Sequence, residues 1–148
     1  MTTKVPAEVI FDLLDDNWAN ANVAKPKIVQ REAAEELREK LPAQGLIIVY
    51  AESGGVRISP RGNRMYKDER VNVIVEAHTL KSHEHWYQLV EEVIRLIELH
   101  THDVSPYQQA RALSYAEEYG ATFRYWRGNV KCELENIAIR TGYPTPDP

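Results

Sequence analysis

The chain has 148 residues, of which 43% are hydrophobic and 27% are charged, and its formal net charge is -4. A chain of this length buries a hydrophobic core without disulfides or a structural metal, so we expect a single domain over residues 1–148. Residues 1–4 and 143–148 are expected to be irregular tails. The acidic balance argues against a protein whose main task is to coat nucleic acid, and no apolar run approaches the roughly 18 residues of a membrane span.

The N-terminal stretch and the cysteine content bear on the cellular compartment. Residues 1–14 carry a single lysine and no long apolar segment followed by small residues, so we expect no secretory signal and an intracellular, soluble protein. Cys132 is the only cysteine, and it occupies an apolar position of a strand-like run. It is therefore expected to be a small buried hydrophobic residue, which excludes a disulfide framework or a cysteine-based zinc site within one chain.

Two helices are predicted in the N-terminal third. Between Pro6 and Trp18 apolar residues recur at spacings of three and four, which is typical of a surface helix with one buried stripe. Residues 20–27 are polar and read as a connection that ends near Pro26. A second helix from Gln30 to Leu41 is favoured by its content of good helix formers, although its apolar content is modest.

The strongest periodic signal lies in the middle of the chain. Ser82 is a suitable N-cap for a helix that ends near His100, and the apolar stripe of that helix includes Trp86. The compact apolar run at residues 46–50 predicts a strand, and strict alternation at residues 71–78 predicts another. The amphipathic helix is expected to pack against these strands.

The last third is predicted to complete an antiparallel sheet. Residues 111–119 fit either a strand or a helix, and their place between a core helix and another strand favours the strand. Alternation over residues 123–140 predicts a final strand, with a β-bulge near Glu135 and Asn136 or an early strand end there. The fold class is therefore α+β, a mainly antiparallel sheet packed against an amphipathic helix, with N-terminal helices.

Four of the five histidines form two His-x-His pairs, His83 with His85 and His100 with His102. Because the pairs flank one helix, about 17 residues of 1.5 Å rise place them roughly 25 Å apart, too far to share an ion. We expect solvated histidines at the two helix ends and no metal within one subunit. A metal shared across an oligomer interface is the leading exception.

No motif indicates an enzyme, and we predict no catalytic residue and no cofactor. The chain lacks a phosphate-binding glycine loop, a dinucleotide fingerprint, a nucleophile elbow and a zinc-protease helix. Its carboxylate clusters are read as solvated helix faces. A metal-dependent nuclease that uses Glu76 and Lys81 with His83 or His85 is kept as an alternative, as is a small regulatory binding module.

A basic segment stands between the first two predicted strands. Residues 52–70 are rich in glycine and proline and read as a long hairpin or loop, with a weak strand at 56–59. A solvated loop is one interpretation of this segment; contact with phosphate groups or an acidic partner is the other. The candidate interface residues are its five cations: Arg57, Arg61, Arg64, Lys67 and Arg70.

The order of elements carries a resemblance from about Val9 to Ile139. A helix ends at Trp18, a Lys-Pro-Lys connection follows, and the strand LIIVY leads into AES. The strand VNVIVEAHT then feeds the helix HWYQLVEEVIRLIELH, and the strand RYWRGNVKCELENIAI closes the series. This series resembles the small virion proteins of tailed viruses, particularly those of archaea, in the tail terminator and head-to-tail joining class.

The resemblance implies a ring-forming structural subunit and no enzymatic activity. Such a subunit sits at the neck of the virion after assembly in the host cytoplasm, stacks on the tail tube protein, and binds a neck or connector protein. Viral DNA passes through the ring, and no membrane is involved. A ring needs a heterologous interface, for which the basic segment would supply an inter-subunit arm or a lumen contact. Interface anchors, where exposed, would come from four aromatic residues, of which the first is assigned mainly to the core: Trp86, Tyr87, Tyr125 and Trp126.

Overall fold

The computed structural model describes residues 5–31, 40–52, 59–61, 64–118 and 125–139. Within these ranges the chain forms two helices and six strands. The helices are α1 (Pro6–Asn17) and α2 (His83–Leu99). The strands are β1 (Lys27–Gln30), β2 (Leu46–Ala51), β3 (Ser59–Arg61), β4 (Arg64–Thr79), β5 (Gln109–Glu118) and β6 (Trp126–Ile139).

The strands form one mixed sheet in the order β1-β2-β4-β6-β5, and β3 pairs with the first part of β4. Only the β1–β2 pair is parallel, while the other described pairs are antiparallel. The predicted α+β class, with a mainly antiparallel sheet and an N-terminal helix, is confirmed.

Both helices lie on the same face of the sheet, because each presents an apolar stripe to it. Four residues of α1, from Val9 to Leu14, are buried, and α2 buries Trp86 and the apolar residues that follow at helical spacing. The sheet side of this core consists of alternate residues of the central strands: Val73, Val75 and Ala77 of β4, and Val130, Cys132 and Leu134 of β6. Cys132 is fully buried, as predicted.

Helix α2 begins and ends where the sequence predicts. The Ser82 hydroxyl accepts a hydrogen bond from the backbone N–H of His85 at 3.0 Å, which satisfies one of the otherwise unpaired N–H groups of the first turn. The Trp86 indole donates to the carbonyl oxygen of Ala77 on β4 at 3.1 Å, and its ring is fully buried. This bond fixes the N-terminal end of α2 above the sheet.

The other face of the sheet has a smaller apolar cluster on its β1–β2 side. Val29, Leu46 and Ile48 are buried there, with Leu41 and Tyr50 packed against them. Residues 40–44 lead from this cluster into β2. The helix-free face is thus apolar beside β1, and beside β4, β6 and β5 it carries mostly polar residues.

The predicted second helix differs from the structure at its start. Gln30 belongs to strand β1, so the helix does not begin there, and residues 32–39 lie outside the described residues. Strand β1 also occupies the end of the predicted polar connection. Its four residues are held by parallel pairing with β2, from Lys27 opposite Leu46 to Gln30 opposite Val49. A pairing so distant in sequence leaves little local pattern in a strand of four residues.

Two predictions about strand boundaries were wrong. β4 begins at Arg64 rather than near residue 71, so residues 64–70 follow the hairpin alternative and not the loop. The β4–β6 pairing runs without interruption from Tyr66 opposite Ile139 to Thr79 opposite Trp126, which leaves no bulge near Glu135. The irregularity lies instead in β5, between Ala112 and Ser114.

The predicted strand in the last third is confirmed as β5, which begins two residues earlier than predicted. Residues 1–4 and 143–148, predicted as irregular tails, lie outside the described residues. Neither α1 nor α2 combines the length and the apolar character that crossing a bilayer requires.

Candidate functional site

The described part of the basic segment, residues 59–61 and 64–70, belongs to a β-hairpin, which is one of the two structures predicted for the segment. Arg61 is the last residue of β3 and lies opposite Arg64, the first residue of β4. Lys67 and Arg70 follow on β4, opposite Ala138 and Glu135 of β6. Arg57 and most of the weak strand predicted at 56–59 lie outside the described residues.

This hairpin extends the sheet beyond its main body. Strand β2 ends opposite Val73 and β5 begins opposite Glu135, which itself pairs with Arg70. Before Arg70, β4 therefore has only β3 and β6 as neighbours among the described strands. At about 3.3 Å per residue, Arg64 to Arg70 spans roughly 20 Å. We call this three-stranded extension, residues 59–61, 64–70 and 135–139, the basic ribbon.

Arg70, at the base of the basic ribbon, is already held by a carboxylate. Its Nε lies 3.1 Å from Oε2 of Glu135, while the side-chain amide of Gln109 donates to Oε1 of Glu135 at 2.6 Å. Because Glu135 is 8% exposed, this pair is partly shielded from solvent. Arg70 is thus engaged in joining β4 to β6.

The cations on the helix-free face follow the same pattern. Three of them each lie near a carboxylate on a neighbouring strand or strand end, so the charge of these three is largely compensated. The pairs are Lys131 with Glu52 at 3.3 Å, Arg111 with Glu133 at 2.8 Å, and Arg127 with Glu118 at 3.2 Å.

An exposed aromatic patch lies where α2 begins and β6 starts. Tyr87 and Trp126 are each 37% exposed and Tyr115 is 53% exposed. The His83 ring lies between two of them, with centroids 5.1 Å from Tyr87 and 6.2 Å from Trp126. We call His83, Tyr87, Tyr115 and Trp126 the aromatic patch. Leu80 and Leu113, which are also exposed, are close in sequence to His83 and Tyr115 respectively.

Glu117 of β5 contacts two residues of the aromatic patch. Its side chain is 7% exposed, and its two carboxylate oxygens contact Nε2 of His83 at 2.5 Å and the hydroxyl of Tyr87 at 3.3 Å. Partial desolvation, followed by the negative charge of Glu117, raises the pKa of the Tyr87 phenol. These contacts join the rings of His83 and Tyr87 on α2 to strand β5. Aromatic side chains that are already ordered lose little conformational entropy on binding, and they are therefore efficient contact residues.

Sequence reasoning identified part of this surface. Tyr87 and Trp126 are exposed and Trp86 is fully buried, as assigned; Tyr125 is half-buried, its ring 5.6 Å from that of His78. It missed Tyr115, because the irregularity in β5 changes which residues of that strand face the helices. The signal that could have identified Tyr115 is the alternation of residues 109–118, when they are read as one strand whose phase changes at Leu113.

The histidines divide by environment. His83 is exposed in the aromatic patch, but His85 is 3% exposed, so its assignment as a solvated residue was wrong. Its Nδ1 lies 2.6 Å from the Thr79 hydroxyl. At the other end of α2, His100 contacts Asp103 at 3.0 Å. Across the described ranges no three histidine, cysteine or acidic side chains converge as a metal site would require.

Two residues of the nuclease alternative, Glu76 and His85, are not brought together. Glu76 bonds to Nε2 of His78 at 2.9 Å, and alternation along β4 places both residues on the helix-free face. Thr79, the partner of His85, lies on the face that the helices cover. Glu76 and His85 are therefore on opposite sides of the sheet.

A shallow groove of about 250 Å³ lies at the opposite sheet edge from the aromatic patch, between the start of α1 and the ends of β1 and β2. Its lining includes Val5, Val49, Tyr50 and Ala51, and Arg31 is its single charged lining residue. The Arg31 guanidinium carbon stands 4.6 Å from the centroid of the Tyr50 ring, a cation–π arrangement. We call this cleft the β1 groove.

No protein-family model matches this chain, and no curated protein is a detectable sequence relative of it.

Proposed function

We propose that this chain is a structural subunit of a tailed-virus neck, a tail terminator or head-to-tail connector that assembles into a ring. In this role the ring stacks on the end of the tail tube, binds a neck or connector protein on its other side, and leaves an opening through which viral DNA passes. The subunit catalyses no reaction. The resemblance of the element order to such proteins is the starting point.

The observation that carries the proposal is the aromatic patch. Tyr87, Tyr115 and Trp126 are large, ordered and exposed beside the edge strand β5, and such residues dominate the binding energy of protein interfaces. Monomeric proteins rarely leave aromatic residues gathered in this way, because the apolar surface favours association.

The basic ribbon supports the same role. It lies at the opposite end of β6 from Trp126, between about 30 and about 43 Å away along the strand. A subunit with distinct features at its two ends suits a heterologous interface, which closes into a ring when the rotation between copies permits. The cations Arg61, Arg64 and Lys67 on this ribbon suit contact with a neighbouring subunit or with DNA in the lumen.

Mass and shape in solution test the proposal. We expect light scattering after size-exclusion chromatography to give one discrete oligomer, alone or with tail tube protein, and negative-stain electron microscopy to show rings. A matched pair of variants supplies the control. Tyr115→Asp, in the aromatic patch, should prevent assembly, whereas Leu99→Asp, at an exposed position at the end of α2, should assemble normally.

Two outcomes would overturn the proposal. The first is a monomer at all concentrations that also fails to bind tail tube protein. The second is divalent-metal-dependent cleavage of DNA that is lost in Glu76→Ala, since it would establish an enzyme.

A further experiment distinguishes a terminator from a connector. The chain is added to polymerising tail tube protein, because only a terminator fixes the length of the tubes.

A further inference from the structure

A buried histidine bridges the end of strand β4 and the first turn of α2. The two elements are joined by residues 80–82, and Nδ1 of His85 lies 2.6 Å from the hydroxyl oxygen of Thr79, the last residue of β4. Thr79 is fully buried and His85 is 3% exposed, so this contact is shielded from solvent. The bridge holds the start of the helix against the end of the strand.

The hydrogen bonds of this bridge define which nitrogen of His85 carries the proton. The Thr79 hydroxyl oxygen accepts from the backbone N–H of Lys81 at 3.1 Å, so its own hydrogen is available to Nδ1 of His85. Nδ1 is then an acceptor, and the ring proton is on Nε2. Among the described residues, no hydrogen-bond partner reaches Nε2, although this atom is buried.

A second proton would remove the fit between His85 and its surroundings. With both ring nitrogens protonated, Nδ1 can no longer accept from Thr79, and Nε2–H still has no acceptor in the described part of the chain. The imidazolium would also carry a full charge in a buried position, which costs more free energy than burial of the neutral ring. The site therefore accommodates neutral His85 and disfavours the charged form.

The groups that face His85 do not offset this cost. A Cβ on Gly45, which precedes β2, would lie 3.5 Å from Cε1 of His85 and 2.9 Å from Cδ1 of Leu89 on α2, and neither residue ionises. Lys81, in the connection, is positive. Burial and then the charge of Lys81 lower the pKa of His85, so both effects act in the same direction.

The other ionisable side chains near this junction are directed elsewhere. His83 and Glu84, in the same helical turn, are exposed, and the His83 ring contacts Glu117 of β5. His78 of β4 bonds to Glu76 on the helix-free face, which the sheet separates from His85. Protonation of His85 is thus a distinct event at the bridge to Thr79.

The turn that contains His85 also carries part of the aromatic patch. His83 and Tyr87 lie two residues before and two residues after His85, and both contact the carboxylate of Glu117. Their arrangement beside β5 requires that this turn stays in place. A change at His85 is therefore transmitted to the patch through the backbone of a single helical turn.

We propose that the junction of β4 and α2, residues 79–85, is an acid-sensitive hinge. When His85 takes up a proton, the first turn of α2 separates from Thr79, and the aromatic patch loses the arrangement of His83 and Tyr87. The hinge is a property of the single subunit. Its consequence for assembly, that rings dissociate in acid and form again at neutral pH, rests on the proposed function.

Amide hydrogen exchange tests the hinge. Exchange is followed by NMR between pH 7 and pH 4.5 and corrected for the pH dependence of intrinsic exchange, so that it reports how often the turn opens. In the open turn His85 has an ordinary pKa of about 6.5, and the open population should rise by up to about tenfold per pH unit below that value. The rise should appear at the backbone N–H of Trp86, which bonds to Ser82, and not at Leu96 of the same helix.

Two histidine variants of the same turn identify the group that triggers opening. His85→Gln keeps a neutral polar side chain at the bridge and should abolish the rise. His83→Gln is the matched control, because it removes the exposed histidine that contacts Glu117 and should retain the rise. A rise that persists in His85→Gln, or that is lost in His83→Gln alone, would overturn the inference.

Titration of the wild-type His85 ring by NMR gives a readout that does not depend on the folding of a variant. The ring should titrate below the ordinary value of about 6.5, over the range in which the turn opens. A His85 pKa at or above that value would mean that the folded protein accommodates the imidazolium, and the hinge would be wrong.

Light scattering between pH 7 and pH 5 tests the consequence for assembly. Wild-type rings, formed alone or with tail tube protein, should dissociate and re-form, whereas rings of His85→Gln should persist at pH 5. Rings of the two proteins that respond alike would show that the hinge does not control the patch. A wild type that never assembles would overturn the proposed function, and hydrogen exchange would then decide the hinge by itself.

Discussion

Gly128 of β6 lies directly against the indole of Trp86. A Cβ placed on Gly128 would stand 2.4 Å from Cζ2 of Trp86 and 2.3 Å from the carbonyl oxygen of Ala116. The ring of Trp86 in turn lies 5.0 Å from that of Tyr87 and 6.4 Å from that of Tyr115. The absence of a side chain at Gly128 thus lets a core residue support two members of the aromatic patch.

Gly128→Ala should therefore destabilise the protein. The added methyl group meets a backbone oxygen and a fully buried ring, neither of which moves freely, and overpacking of this kind costs about 1–3 kcal/mol. Urea denaturation followed by circular dichroism measures the change in the free energy of unfolding. Ala116→Ser, on the neighbouring strand at an exposed position, is the control and should leave stability unchanged. Equal stability of Gly128→Ala and the wild type would contradict the contact.

Ser82→Ala should weaken α2 at its first turn. The substitution removes the hydroxyl that accepts from the N–H of His85, and loss of an N-cap of this type costs about 1 kcal/mol. Ser82→Asp should retain most of the stability, because a carboxylate also accepts this bond and favours the positive end of the helix dipole. If the two variants lose equal stability, the cap does not act as described.

Helix α2 was predictable because several local signals agree. The apolar period, the cap at Ser82 and the bulk of Trp86 all indicate one helix with one buried face, and tertiary packing only reinforces them. His85 was misjudged because both members of its His-x-His pair were assigned to the solvated end of the helix. His85 lies four residues before the buried Leu89, so the two share one face of the helix, and the burial of His85 follows from that position.

The remaining differences between the predicted and the observed strands arise from pairing between segments that are distant in sequence. Strand β1 is held by β2, and the first half of β4 is held by β3 and β6, so charged residues such as Lys67 occupy a strand despite weak local preference. The aromatic patch joins α2 to β5 through Glu117, which is 34 residues from His83. No local pattern reports such a contact, and the sequence alone therefore identified Tyr87 and Trp126 but neither Tyr115 nor the arrangement of the patch.

His85 should make stability depend on pH. Its burial, and then the charge of Lys81, lower its pKa below the ordinary value of about 6.5. The unfolded chain therefore takes up a proton at a higher pH than the folded protein, and stability falls as pH drops below about 6.5 until the folded-state pKa is passed. Urea denaturation between pH 7 and pH 4 should show a smaller decrease in His85→Gln than in the wild type. Parallel curves would contradict this assignment.

Cys132 should be unreactive until the protein unfolds. It is fully buried, and desolvation raises the pKa of its thiol to about 12, so almost no thiolate is present at pH 8. Its reaction with Ellman's reagent should be at least about a hundredfold slower in buffer than in denaturant, because access requires opening of the core. Ala116→Cys places a second thiol on exposed β5, and that thiol alone should react rapidly in the folded protein. Rapid reaction of wild-type Cys132 would show that β6 is accessible.

Glu92 and Arg95 supply a test of a buried carboxylate on α2. Glu92 is 2% exposed, and Arg95 donates to its two oxygens at 2.8 and 2.7 Å, with Asn22 donating at 3.2 Å. The Arg95 hydrogen bonds are the main cause that lowers the pKa of Glu92, and burial opposes them. Arg95→Met should therefore reduce the free energy of unfolding at pH 7, where it leaves a buried negative charge with one remaining partner.

The pH dependence of this loss distinguishes the ion pair from simple packing. Because the pKa of Glu92 is lowered by folding, its contribution is present above the unfolded-state value of about 4.3 and is lost as pH falls through the folded-state pKa. The difference between the wild type and Arg95→Met should accordingly be largest near pH 7 and shrink towards pH 3. Glu92→Gln removes the charge and should show a flatter profile. A difference for Arg95→Met that stays constant with pH would mean that the arginine stem, rather than its charge, stabilises the helix.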